Sequence, residues 1–376
     1  MSPLGSTASA PPLVSELHET VVQWLLEGPA QLRDGPHAGA VVGSVDAGER
    51  ATYAYPEITG YFLQWLGWRS RSYGSSPALM RRAAAAQAWL RTWLAEAHPR
   101  TRIHLHADVA DWRNDAVFCF DVAMVLRGLG TAAHQGLLDP DPVVVAGLVR
   151  ELARLIGDDG LFVACRTHAK HGSALPTRWS TRRGGFLAKA AAGVIAAART
   201  LGDVPEPVTR AAEETYAASL RWDADAPHED VHPLLYTFEG IMSLPTHPLF
   251  QDVLPVIAAR FDALLTFVGD GGQLPETIGT GVVACAPNRV DIMAQVARIG
   301  ALLAMHRPHH PPDGEALAKL KRSLEQEIAA SGAVPFALAQ PTRVSNVWAA
   351  MFVDQALAYS HERSSDASPT DDPLIV

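Results

Sequence analysis

Two kinds of helix-period segment alternate along the chain, and this alternation limits its fold more tightly than any other feature. One kind is amphipathic, with charges confined to one face: residues 16–32, 78–97, 141–156, 207–221, 251–267 and 314–330. The other is apolar nearly all round and rich in Ala, Gly and aromatic residues: 56–67, 120–134, 185–200, 233–243, 290–305 and 346–359. A helix with a single apolar stripe belongs on a surface, and one apolar on every side belongs in an interior. Six outer-inner pairs at a period of about 55 residues describe a repetitive all-α architecture. No run of alternating apolar and polar residues is long enough to make a sheet. Outer segments end in GDDGLF (157–162), GDGGQLPE (269–276) and SGAVPF (331–336), where glycine serves as a C-cap before a turn. A long loop then leads to the next inner segment, so the long loops gather at one end. The expected fold is an (α/α)6 toroid whose cavity is lined by the N-terminal ends of the inner helices.

Composition excludes several classes. With 376 residues, 48% of them hydrophobic, the chain can bury a large core. A formal net charge of -9 argues against a nucleic-acid or anionic-membrane partner, since phosphate binding needs clustered Lys and Arg. Cys119, Cys165 and Cys285 lie far apart and in no CxxC or Cys/His spacing, so neither a disulfide framework nor a structural zinc site is expected. The start MSPLGSTASAPP has no basic region followed by an apolar one, and the reading is a cytoplasmic protein without membrane insertion. Residues 1–12 and 362–376, rich in Ser, Pro and Asp, are expected to be disordered, flanking a barrel domain over 13–361. No G-x-S-x-G, Walker or G-x-G-x-x-G pattern occurs. His104 and His106 have chelating spacing, yet no third ligand follows at a recognisable distance, and no metal is expected.

Polar residues collect where the inner helices begin. In YPEITGY, Pro56 suits the first helical position and Glu57 the first turn, where the helix dipole favours a carboxylate. That alone would explain Glu57. Asp121 opens the second inner helix, Tyr236 and Glu239 lie one turn apart in the fourth, Asp291 and Gln295 one turn apart in the fifth, and Asn346 with Trp348 opens the sixth. Asp121 and Asn346 are also good N-cap residues. Carboxylates inside apolar helices are costly unless paired or functional, and several at equivalent positions point to one site. The preceding loops add Tyr55, and RTHAKHGSALPTRWSTRRGG (166–185) adds His168, His171, Arg178 and Trp179. Aromatic faces with carboxylates and arginine suit a polyhydroxylated ligand, where rings stack and charges hydrogen-bond hydroxyls.

YPEITGY, FDVAMVLRGL, LLYTFEGIM, GDGGQLPE and NVWAAMFVDQAL together resemble bacterial (α/α)6-barrel proteins of the six-hairpin glycosidase-like superfamily, over roughly residues 50–360. That superfamily includes glycoside hydrolases, unsaturated glucuronyl hydrolases, sugar 2-epimerases and glucuronyl C5-epimerases. The resemblance carries over Tyr55, Glu57, Tyr61, Asp121, Tyr236, Glu239, Asn346 and Trp348. The paired histidines typical of sugar 2-epimerases are not evident on the inner segments, whose histidines lie at edges such as His232.

Two chemistries follow, neither requiring a cofactor. As a glycoside hydrolase, one of Glu57, Asp121 and Glu239 would protonate the leaving oxygen while another activates water. As a uronic-acid epimerase or lyase, Tyr236 and Glu239 would be the acid-base pair, with Arg178 or Lys189 neutralising the sugar carboxylate. A scaffold binding a glycan or peptide without turnover, or a tailoring enzyme for a non-sugar natural product, would use the same cavity. The expected partner is a small molecule or oligosaccharide.

Overall fold

A computed structural model describes residues 14–168, 174–221, 228–279, 289–338 and 344–362. The two terminal segments expected to be disordered lie almost wholly outside these residues, as do His171 and Cys285. Six outer helices, α1 (Val14–Glu27), α3 (Pro77–Leu94), α5 (Pro142–Arg154), α7 (Glu206–Ser219), α9 (Phe250–Leu265) and α11 (Gly314–Glu327), alternate with six inner ones. The inner helices are α2 (Pro56–Tyr73), α4 (Cys119–His134), α6 (Leu187–Leu201), α8 (Val231–Met242), α10 (Val290–His306) and α12 (Val347–Glu362). Each inner helix packs on the next, from α2 through α4, α6, α8 and α10 to α12, and α12 returns to α2. The expected (α/α)6 toroid is the fold found.

Three outer helices, α3, α5 and α11, are capped by side chains: Ser76 accepts from Leu79 N, Asp141 from Val143 N, and Asp313 from Glu315 N. Inner helices α2, α4, α6, α8 and α10 have no such cap. Asp121 is therefore not an N-cap. Helix α4 begins two residues earlier, after Phe118, which leaves the Asp121 carboxyl available to the cavity. Asn346 does cap α12, accepting from Ala349 N at 2.8 Å.

Eight strands of two or three residues were not anticipated. They form four antiparallel pairs: β1 (Ser44–Val45) with β8 (Ser345–Asn346), β2 (Tyr53–Ala54) with β3 (Ile103–His104), β4 (Ala116–Phe118) with β5 (Cys165–Thr167), and β6 (His228–Asp230) with β7 (Thr277–Gly279). Each pair ties one long loop to another at the mouth. Strands this short show no period-2 pattern, so tertiary pairing alone defines them. By holding the loops against one another they fix the side chains that rim the cavity. No helix among the described residues is long and apolar enough to cross a membrane.

Candidate active site

The mouth encloses a cavity of ≈ 290 Å³. Seven of the residues singled out from sequence line it: Tyr55, Glu57, Asp121, Arg178, Trp179, Tyr236 and Trp348. Glu57 and Asp121, in the first turns of adjacent inner helices, sit side by side at the cavity wall, Glu57 buried and Asp121 half-buried. Burial raises both carboxyls, and the Glu57 charge pushes Asp121 higher still, well above the usual carboxylate range. Two such carboxyls titrate as a pair, with Asp121 raised further than Glu57. Arg102, from the loop before α4, lies over the Tyr53 and Tyr55 rings at 4.7 and 5.3 Å, and its charge favours the ionised form of Glu57. Burial also raises the Tyr55 and Tyr236 hydroxyls well above 10, so both remain neutral donors.

The walls are aromatic. The Phe120 ring lies 4.7 Å from that of Tyr236, and Trp179 meets Phe186, His232 and Tyr236 edge-on. Arg102, Arg113, Arg178 and Arg289 supply positive charge around them. Arg289 is anchored by Asp291, whose oxygens it meets at 3.0 and 2.6 Å, and the Trp348 indole donates to the same carboxylate at 3.0 Å. Burial would raise Asp291, but Arg289 outweighs it and holds the carboxyl below its ordinary value. Asp291 thus positions Arg289 and Trp348 rather than lining the cavity itself.

His232 reaches the cavity at the start of α8. Its tautomer follows from a chain of directional bonds. Lys189 donates to Glu239 at 2.7 Å and Arg298 donates to it too, so Glu239 accepts only. Gln295 Nε2 donates to Glu239 at 3.1 Å, which turns Gln295 Oε1 toward His232 Nδ1, 2.7 Å away. An amide oxygen accepts, so Nδ1 carries the hydrogen and Nε2 is left as a basic nitrogen. Burial and then Arg289 depress His232 to about 4, keeping the ring neutral at physiological pH.

Glu239, Lys189, Gln295 and Tyr61 do not line the cavity. They are fully buried beneath it on the toroid axis. Lys189 is held between the Tyr61 and Tyr236 rings at 4.6 and 4.7 Å, and burial depresses it to about 7 against the opposing pull of Glu239. His168 stands apart, its ring 4.6 Å from that of His98 and its N–H bonded to Asp115 O. Arg102, Arg113, His232 and Arg289 are the basic lining residues that the sequence reading left out of the site, together with aromatic ones such as Phe120 and Phe186. His232 and Arg289 had a signal, since each immediately precedes or opens an inner helix. Among the described residues no group of three or more His, Cys, Asp or Glu could hold a metal.

No protein-family model matches the chain, and no curated protein matches it in sequence. Solved structures do. A D-mannose isomerase superposes with a TM-score of 0.68 at 13% identity, over 92% of this chain and 96% of its own. A sugar epimerase from a ruminal bacterium gives 0.66 at 9% identity, over 94% and 100%. An unsaturated glucuronyl hydrolase specific for heparin gives 0.62 at 11% identity, over 94% and 99%. The chain thus shares the (α/α)6 fold of these solved structures over more than nine-tenths of its length, and at these identities the likeness is one of fold.

Proposed function

We propose that this protein is a carbohydrate-active enzyme that moves a proton on a sugar carrying a carboxylate, as an epimerase or lyase does. The observation that carries this reading is the company His232 keeps: one aromatic cavity holds a neutral imidazole with a basic Nε2, a pair of neighbouring carboxyls both held above their ordinary range, and four arginines. In the reaction, Nε2 of His232 accepts the proton from the carbon next to the sugar carboxylate. A guanidinium, with Arg289 and Arg102 as the anchored candidates, takes up the charge that develops on that carboxylate. Protonated Asp121 returns a proton to the carbon in epimerisation, or to a departing oxygen in elimination. Trp179, Trp348 and Phe120 offer ring faces for stacking.

Two-carboxylate hydrolysis is less well supported. Inverting and retaining hydrolases separate their carboxyls by about 6.5–9.5 Å and about 5–5.5 Å respectively. Glu57 and Asp121 lie near enough for the Glu57 charge to push Asp121 up, and Glu239 is held under the floor by Lys189 and Arg298. The likeness to a mannose isomerase, a sugar epimerase and a glucuronyl hydrolase supports a carbohydrate substrate. The test is to incubate uronic-acid and neutral oligosaccharides with the protein in deuterated water and follow mass and proton NMR. Carbon-bound deuterium without cleavage, or cleavage without water addition, is expected, and both are lost in His232→Asn. Cleavage with addition of water would make the protein a hydrolase, and binding without any change would make it a scaffold.

A further inference from the structure

A second cavity, of ≈ 400 Å³, opens at the opposite end of the toroid, between the C-terminal ends of α4 and α6 and the Ser243–Thr246 turn that follows α8. Its charged lining is wholly basic: Arg127, His134 and Arg199, with no Asp or Glu among the described residues that form it. Hydroxyls of Thr131, Thr200, Ser243 and Thr246 complete it. The helix dipole accounts for His134 and Arg199, which are exposed basic side chains in the last turns of their helices. It does not account for Arg127, which lies two turns inside α4 and is only 3% exposed. Helix α6 makes room for this side chain at Gly193, where a Cβ would lie 3.3 Å from Arg127 Cβ and Cδ. Beyond it the interior already carries Lys189, whose charge Arg127 and Arg298 both oppose and Glu239 favours. A further buried cation at this place raises the positive potential of the floor of the second cavity.

We propose that this basal cavity binds a small oxyanion, a phosphate or sulfate group that is free or carried on a small metabolite. The buried Arg127 would hold it from below, while Arg199 and His134 close over it at the rim and the Thr131 and Thr246 hydroxyls complete its shell. Guanidinium forks match the oxygen geometry of such a group. The site is separated from the mouth by the Lys189–Glu239–Arg298 core, so its occupancy does not depend on the chemistry proposed there.

Calorimetric titration of the full chain with inorganic phosphate, at constant ionic strength set by chloride, tests this. Saturable binding at one site is expected, weakened at least fivefold in Arg199→Gln and abolished in Arg127→Met. Circular dichroism establishes that each variant is folded. If Arg127→Met does not fold, Thr131→Val takes its place, with a threefold or greater loss expected. Tighter binding of glycerol 3-phosphate than of phosphate assigns an organic phosphate to the site, and equal binding assigns the free ion. Heats no different from those of chloride, or affinity unchanged in the folded variants, would overturn the proposal.

Discussion

Asp121 stands half-buried at the cavity wall beside a second carboxyl, and burial together with the Glu57 charge pushes it well above the usual carboxylate range. In the unfolded chain Asp121 ionises near its ordinary value of 3.8. Because folding raises it, its contribution to stability is complete below that value and is lost as pH rises toward the folded pKa. Asp121→Asn removes the loss, so at pH 7 the variant should be more stable than the parent in urea denaturation, while its activity on any turned-over sugar falls by orders of magnitude. A stability equal to or below that of the parent would show that the carboxyl is not held neutral. His232 has the opposite sign. Folding lowers it from 6.5 to about 4, so its contribution is complete above pH 6.5 and is lost as pH falls through that window. The 2.5-unit gap corresponds to about 3 kcal/mol at most. His232→Asn should flatten the stability profile between pH 4 and 6.5, and an unchanged acid slope would place the acid sensitivity elsewhere.

At the level of elements, glycines let inner helices approach until backbones touch. A Cβ on Gly240 of α8 would lie 2.3 Å from the backbone N of Lys189 on α6, and this closeness brings the Lys189 ammonium to Glu239. Gly240→Ala must push the two helices apart, and should cost about 3 kcal/mol or more by overpacking and by loosening a buried ion pair. Gly314→Ala at the start of α11, where a Cβ meets nothing within 4 Å, should be neutral or slightly stabilising. Similar melting curves for the two variants would rule out the tight α6–α8 crossing. The inner helices were legible in the sequence because burial on every side leaves a visible apolar composition. Their ends were less so: α2 runs to Tyr73 rather than 67 because Arg69 and Ser70, though polar, are buried as well. The carboxyls at the mouth could be found from the recurrence of a polar residue at equivalent helix starts. Spacing alone could not separate levels along one helix, so Tyr236 at the cavity and Glu239 a turn below it looked equivalent. Arg102 and Arg113 come from a loop without periodicity, and only the β2–β3 and β4–β5 pairings carry that loop to the rim.

For the whole molecule, a toroid must close, and closure joins the two ends of the described chain. Strand β8 pairs with β1, bringing the last mouth loop to the first, and α12 packs on both α1 and α2. The sixfold period announced this ring, but the seam itself rests on a contact no periodicity could reveal, between residues hundreds of positions apart. Asp354 of α12 is fully buried there. It accepts from Trp65 Nε1 at 2.7 Å, lies 2.6 Å from His18 Nε2 of α1 and 4.0 Å from Arg69 Nη1 of α2, and both His18 and Arg69 are themselves nearly buried. Removing one member of such a group strands the others in low dielectric, which typically costs about 3–5 kcal/mol. Asp354→Asn keeps an oxygen for the Trp65 indole but takes away the charge that offsets Arg69. The variant should therefore lose stability by that order in urea denaturation at pH 7, with Trp fluorescence and far-UV circular dichroism unfolding together if the ring opens as one unit. Adding Arg69→Met to Asp354→Asn should restore part of the loss, because the stranded cation is then gone. If Asp354→Asn instead stays within about 1 kcal/mol of the parent, the ring is closed by the apolar packing of α12 against α1 and α2, and the buried charges at the seam serve only to fix its register.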